Sequence, residues 1–118
     1  VSDPIPVEKA LADGCDHVFL ILTKPIDFVK KPEMFKSAYT KVLKNYPAVI
    51  KKLNIRHETY NNGIKKALEL SKEGKVTIIA PDDGYSVTAF TKNIRELNHL
   101  YNEGYIKAGE ILKNKGYL

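Results

Sequence analysis

Two adjacent carboxylates, Asp82 and Asp83, stand in Pro81-Asp82-Asp83-Gly84, directly after the apolar run Val76 to Ala80. If that run is a parallel strand, the pair lies at its C-terminal end, where open α/β sheets place their ligands. Carboxylate oxygens there are the hard donors a divalent cation takes. The same residues also suit a polar turn that leads into a helix. Asp82 and Asp83 are the candidate binding residues, and no catalytic residue, metal ion or cofactor is assigned. The serines are Ser2, Ser37, Ser71 and Ser86, and none has the Gly-x-Ser-x-Gly context of a nucleophile on a strand-to-helix turn. His17, His57 and His99 are scattered, His17 at the start of a strand and the other two within helices. Cys15 follows a glycine and reads as a small buried apolar residue rather than a reactive thiol. A lone cysteine excludes an internal disulfide, and no Cys/His spacing matches a structural zinc site. Glu73-Gly74-Lys75 precedes its strand, the wrong side for a phosphate-cradling loop.

The elements that position these residues follow from hydrophobic spacing. Val7 to Asp13 reads as a short helix with Ala10 and Leu11 inward, stopped by Gly14. His17 to Thr23 is apolar on consecutive positions, the mark of a strand covered on both faces. Pro32 to Tyr46 is helical, with Phe35, Ala38, Val42 and Leu43 on one stripe. From Ala48 the apolar spacing runs through Asn61-Asn62-Gly63 to about residue 72, predicting one long helix with that triplet as its place to bend. Asn61 is placed to hydrogen-bond a neighbouring loop. Lys75 to Ala80 is a second strand. Thr91, in preference to Ser86, caps a last helix carrying Ile94, Leu97, Tyr101, Tyr105, Ala108 and Leu112. The roughly fifty-residue helical connection between the strands implies that they pair in parallel.

The chain has 118 residues and a net charge of +5. That length argues for one domain with a modest core. Seventeen of the 19 basic residues are lysines; only Arg56 and Arg95 offer the bidentate guanidinium that base readout favours, so no nucleic-acid partner is expected. Residues 24–52 concentrate eight lysines against Asp27 and Glu33. This segment is either a solvated helix face or a patch for an anionic surface. The longest apolar run, Val18 to Leu22, is far short of a membrane span. With no signal pattern and one cysteine, a cytoplasmic setting is expected.

Val1 to Ala10 (Val-Ser-Asp-Pro-Ile-Pro-Val-Glu-Lys-Ala), then Gly14-Cys15-Asp16 and the strand Val18 to Thr23, resembles the stretch of bacterial patatin-like phospholipases just after their Asp-Gly-Gly/Ala motif. Further on, Arg56 with Tyr60-Asn61, Gly74-Lys75 running to Pro81, and the closing Tyr-x-x-Gly-Tyr of Tyr101 to Tyr105 resemble the C-terminal region of that family. The resemblance implies lipid acyl hydrolysis by a Ser-Asp dyad whose two motifs and oxyanion loop lie upstream of Val1. No catalytic residue carries over, and Asp3 resembles the variable polar position after the motif.

The expectation is therefore an α/β piece of a larger patatin-like hydrolase, with a small parallel two-stranded sheet packed by three to four helices. Residues 1–31 would be the last part of the catalytic domain and residues 32–118 a C-terminal region. Its partners would be the upstream catalytic part of the parent chain, lipid through that parent, and copies of itself through an open strand edge. The rival expectations are a small basic module that contacts anionic membrane or nucleic acid through residues 24–52, and a ligand-binding domain centred on Asp82 and Asp83.

Overall fold

The structure is a computed structural model, and it describes residues 2–84 and 87–118. Helix α1 (Val7–Ala12) leads into strand β1 (Val18–Ile21). Helices α2 (Lys36–Val42), α3 (Pro47–Asn54) and α4 (Arg56–Lys72) follow, then strand β2 (Val76–Ile79) and helix α5 (Ile94–Asn114). The fold is a small mixed α/β arrangement. β1 and β2 pair in parallel, with Val18 opposite Val76 and Ile21 opposite Ile79.

Both strands are entered through the same local device. Helix α4 ends in a Schellman motif: the amide of Gly74 donates to the Ser71 carbonyl and that of Lys75 to the Leu70 carbonyl, each at 3.0 Å. The amides of Gly14 and Cys15 close α1 in the same way, onto Leu11 and Ala10. Gly14 and Gly74 have φ of 100° and 76°, a left-handed conformation that glycine adopts without steric cost. The reversals lay β1 and β2 side by side. His17 then straps them together. Its Nδ1 donates to the Gly74 carbonyl at 3.1 Å, which leaves Nε2 to accept from the Thr77 hydroxyl at 2.8 Å.

One core joins the N-terminal segment and β1 to α4 and β2. Ile5, Val7, Leu20 and Leu22 pack with Ile64, Ala67, Leu70 and Val76. Gly63 is the close-approach point of that core, since a Cβ at this position would lie 2.8 Å from Ile5 Cβ. The Asn61-Asn62-Gly63 triplet is thus helical, because its residues serve tertiary contacts. Asn61 clasps the loop before α2 through its whole amide. Its Oδ1 accepts from the Lys30 amide at 2.9 Å and its Nδ2 donates to the Lys30 carbonyl at 3.0 Å.

The structure corrects several expectations. The long helix breaks at Ile55, not near Gly63, and Pro47 opens its first half as an N-terminal proline. The helix expected over 32–46 shortens to Lys36–Val42, and its stripe is not core: Phe35 is 72% and Val42 80% exposed. Asn93, not Thr91, caps α5, its Oδ1 accepting from the Arg95 amide at 3.1 Å. Thr91 Oγ1 instead accepts from the Thr88 amide. Ser86 lies outside the described residues. Cys15 is exposed rather than buried. β1 is covered on one face at Leu20 and Leu22, whereas Ile21 on the other face is 71% exposed.

The molecule is open for its size. Its accessible surface is 8811 Å², roughly a third above the about 6,450 Å² expected of a closed globule of this mass. Its radius of gyration is 16.6 Å, against about 13.5 Å for a compact domain of this length. Three surfaces account for the openness in physical terms: the outer face at Ile21, the apolar stripe of α5, and α2, which buries no residue.

Candidate functional site

The C-terminal ends of β1 and β2 open into an apolar groove of about 460 Å³. Ile21, Ile79 and Pro81 form one wall, and Leu97, Tyr101 and Tyr105 of α5 form the other. The helical spacing gathers these α5 residues on one face as expected, but that face lines a groove and α5 buries no residue. Tyr101 and Tyr105 remain 71% and 75% exposed.

Asp82 and Asp83 sit beside this groove and do separate jobs. Asp82 Oδ1 is 2.5 Å from Lys107 Nζ, and Lys107 also donates to the Ala80 carbonyl at 3.1 Å. Glu103 completes the group: its Oε1 accepts from the Asp82 amide at 2.5 Å and lies 3.5 Å from Lys107 Nζ. The hydrogen bond to Asp82 leads the causes that hold the Lys107 ammonium above the usual lysine range. The Asp83 carboxylate turns back to accept from the Gly84 amide at 2.6 Å. The two carboxylates thus do not converge. Among the described residues no group of three or more His, Cys, Asp or Glu side chains is arranged to hold a metal ion. Sequence reasoning found Asp82 but missed Lys107 and Glu103. Their i,i+4 spacing on the last helix was the available signal, without any indication that this helix returns to the end of β2.

The other positions singled out by type also carry structural work. Arg56 lies 3.6 Å from Glu33, which is equally far from Lys30. Tyr60 packs edge-on against Phe28, with ring centres 6.2 Å apart, and burial raises its phenol above the usual tyrosine value. Together with Asn61 these residues fasten the segment 28–33 onto α4. No hydrogen bond joins any of the three histidines to a described serine. Lys24, counted in the basic segment, is drawn inward. Its ammonium donates to the Gly84 carbonyl at 2.9 Å and to that of Val87, and stands 5.3 Å from the centre of the Phe28 ring. No helix is long and apolar enough to cross a membrane among the described residues.

No curated protein and no solved structure matches the chain. A family model matches residues 46–115, which run from the N-cap of α3 to the end of α5 and leave α1, β1 and α2 outside. The match covers more than half of the sequence, and the chain belongs to the DUF6363 family, a domain of unknown function.

Proposed function

We propose that this chain is the C-terminal segment of a patatin-like lipid acyl hydrolase and serves in it as scaffold, not as catalyst. The observation that carries the reading is the outer edge of β1. The amides of Val18 and Leu22 donate to Lys75 and Ile79 of the β2 segment, so those of Phe19 and Ile21 face away from β2. No third strand lies there among the described residues, and Ile21 is exposed beside it. Parallel sheets occur almost only where further strands and helices cover them. An upstream strand of the parent would pair with this edge and cover Ile21. The Ser-Asp dyad and oxyanion loop would belong to that upstream part, with lipid as its substrate. Here α4 and α1 would back one face of the shared sheet, while the β2–α5 groove would lie at the strand ends, the side on which α/β sheets bind ligands.

The test compares this chain with a longer polypeptide that includes the coding sequence upstream of Val1. The longer protein should hydrolyse p-nitrophenyl esters and phospholipid, and lose turnover when its Gly-x-Ser-x-Gly serine is replaced. The present chain should not exceed a heat-killed control. An upstream sequence without Asp-Gly-Gly or Asp-Gly-Ala close to Val1 would sink the reading. So would turnover by this chain alone that disappears when one of its own four serines is changed. Sedimentation of the isolated chain should show mass rising with concentration. A strict monomer that melts cooperatively above about 65 °C, the upper end of the mesophile range, would count against a missing strand.

A further inference from the structure

Helices α2 and α3 project a surface that combines two features rarely left together in water. Between Lys36 and Asn54 there are five lysines (Lys36, Lys41, Lys44, Lys51 and Lys52) and no acidic residue. All five are exposed, and none pairs with a carboxylate among the described residues. Large apolar side chains stand out among them: Met34 is 87%, Phe35 72% and Val42 80% exposed. Phe35 and Val42 lie seven residues apart, on one side of α2. Tyr39 occupies the neighbouring side, where its hydroxyl donates to Asn54 Oδ1 at 2.7 Å and holds α2 against α3. The apolar stripe is thus held outward by the contact that joins the two helices.

We infer that the α2–α3 pair docks on anionic lipid surfaces. The lysines would face the headgroups and Phe35, Val42 and Met34 would enter the boundary of the acyl region. A merely solvated helix pair gains nothing from three exposed large apolar side chains, whereas a basic helix face beside an apolar one is the pattern of interfacial binding. Charge complementarity selects anionic lipid over neutral lipid, because each lysine near such a surface contributes about 1 kcal/mol, or about fivefold in affinity. Nucleic acid fits less well. The cations are all lysines, and the exposed aromatics do not form a row on which bases could stack. The inference stands whether or not an acyl hydrolase lies upstream.

The experiment is co-sedimentation of the chain with phosphatidylcholine vesicles and with vesicles enriched in phosphatidylserine, at low and raised salt. The expected result is binding to the second kind only, weakened by salt. Replacing Lys36, Lys41 and Lys44 with Gln should lower that affinity about a hundredfold, at about fivefold per lysine. Phe35→Ser with Val42→Ser should lower it at least about tenfold while leaving the salt dependence in place. Circular dichroism shows whether each variant is folded; should one misfold, the lipid and salt dependence of the unaltered chain decides. Equal binding to both vesicles, no binding to either, or retention of a single-stranded RNA but not of vesicles would overturn the inference. Undiminished binding by the folded triple-lysine variant would overturn it as well.

Discussion

Helices α4 and α2 both carry apolar stripes, yet only one is covered. α4 buries Ile64, Ala67 and Leu70 against the sheet and the N-terminal segment. α2 buries nothing, and its Phe35 and Val42 stand in solvent. Each large apolar side chain withdrawn from water contributes about 1.5–3 kcal/mol, so the stability of the molecule is concentrated in the α4 half. Anchoring accounts for the contrast. α4 runs through a Schellman turn directly into β2, and Gly63 admits Ile5 against its flank. α2 is reached by the loop from β1 and touches chiefly α3. An apolar stripe shows that a helix has an inner face, and its connections to the sheet decide whether that face is filled.

The widest expected separation comes from truncating one apolar stripe side chain in each half. Ile64→Ala should cost about 2–5 kcal/mol through lost burial and the cavity left behind. Phe35→Ala should fall within about 0.5 kcal/mol. Denaturant melts of both variants measure the difference; comparable losses would mean that α2 is packed after all.

The clasp between α4 and residues 28–33 comes next. Asn61→Ala leaves the Lys30 amide and carbonyl without partners, and should cost about 1–3 kcal/mol. Hydrogen exchange at Lys30 should accelerate in the same variant.

Glycine substitution should change sign between helices. Gly63→Ala drives a Cβ to 2.8 Å from Ile5 Cβ, and overpacking of this kind costs about 1–3 kcal/mol. A Cβ added at Gly109 of α5 would meet no atom within 4 Å, so Gly109→Ala should stabilise by about 0.5–1 kcal/mol. Thermal melts that move in the same direction would break the contrast.

A smaller effect is expected at alkaline pH. Desolvation raises the Tyr60 phenol, so the folded state favours its neutral form. That contribution is whole below about pH 10 and is lost as pH rises through the higher folded-state value. Lys107, raised chiefly by its hydrogen bond to Asp82, also loses its contribution on the alkaline side, and solvent reduces its share. Tyr60→Phe should flatten the fall in melting temperature between about pH 8 and about pH 11; an unchanged slope would remove Tyr60 from the account.

The smallest effect belongs to the lysines of α2 and of the turn after it. Exchanging Lys36, Lys41 and Lys44 for Gln should alter stability by under about 0.5 kcal/mol per site. A fall of many degrees in melting temperature would show that these side chains are packed or paired.

Local chemistry was legible in the sequence wherever one segment determines it. The strand cores, the glycine-ended helices α1 and α4, and the helical spacing of α5 follow from apolar periodicity and from Gly14 and Gly74, because these depend on neighbours within a few residues. The parallel pairing of the strands followed instead from the length of the helical connection between them. The polar turn at Asp82 and Asp83 was visible for the same reason. Contacts between distant segments were decided by the tertiary structure. Lys107 and Glu103 reach Asp82 only because α5 folds back along β2. Lys24 is drawn from a basic segment onto the Gly84 and Val87 carbonyls. Gly63, which reads as a turn signal, is instead the point where Ile5 enters. Periodicity likewise assigned Phe35, Val42 and Ile21 an inner face, but the residues that would cover such a face come from elsewhere in the chain. Their exposure therefore appears only when all the elements are placed together, since burial belongs to pairs of surfaces and a single stretch of sequence specifies just one of the two.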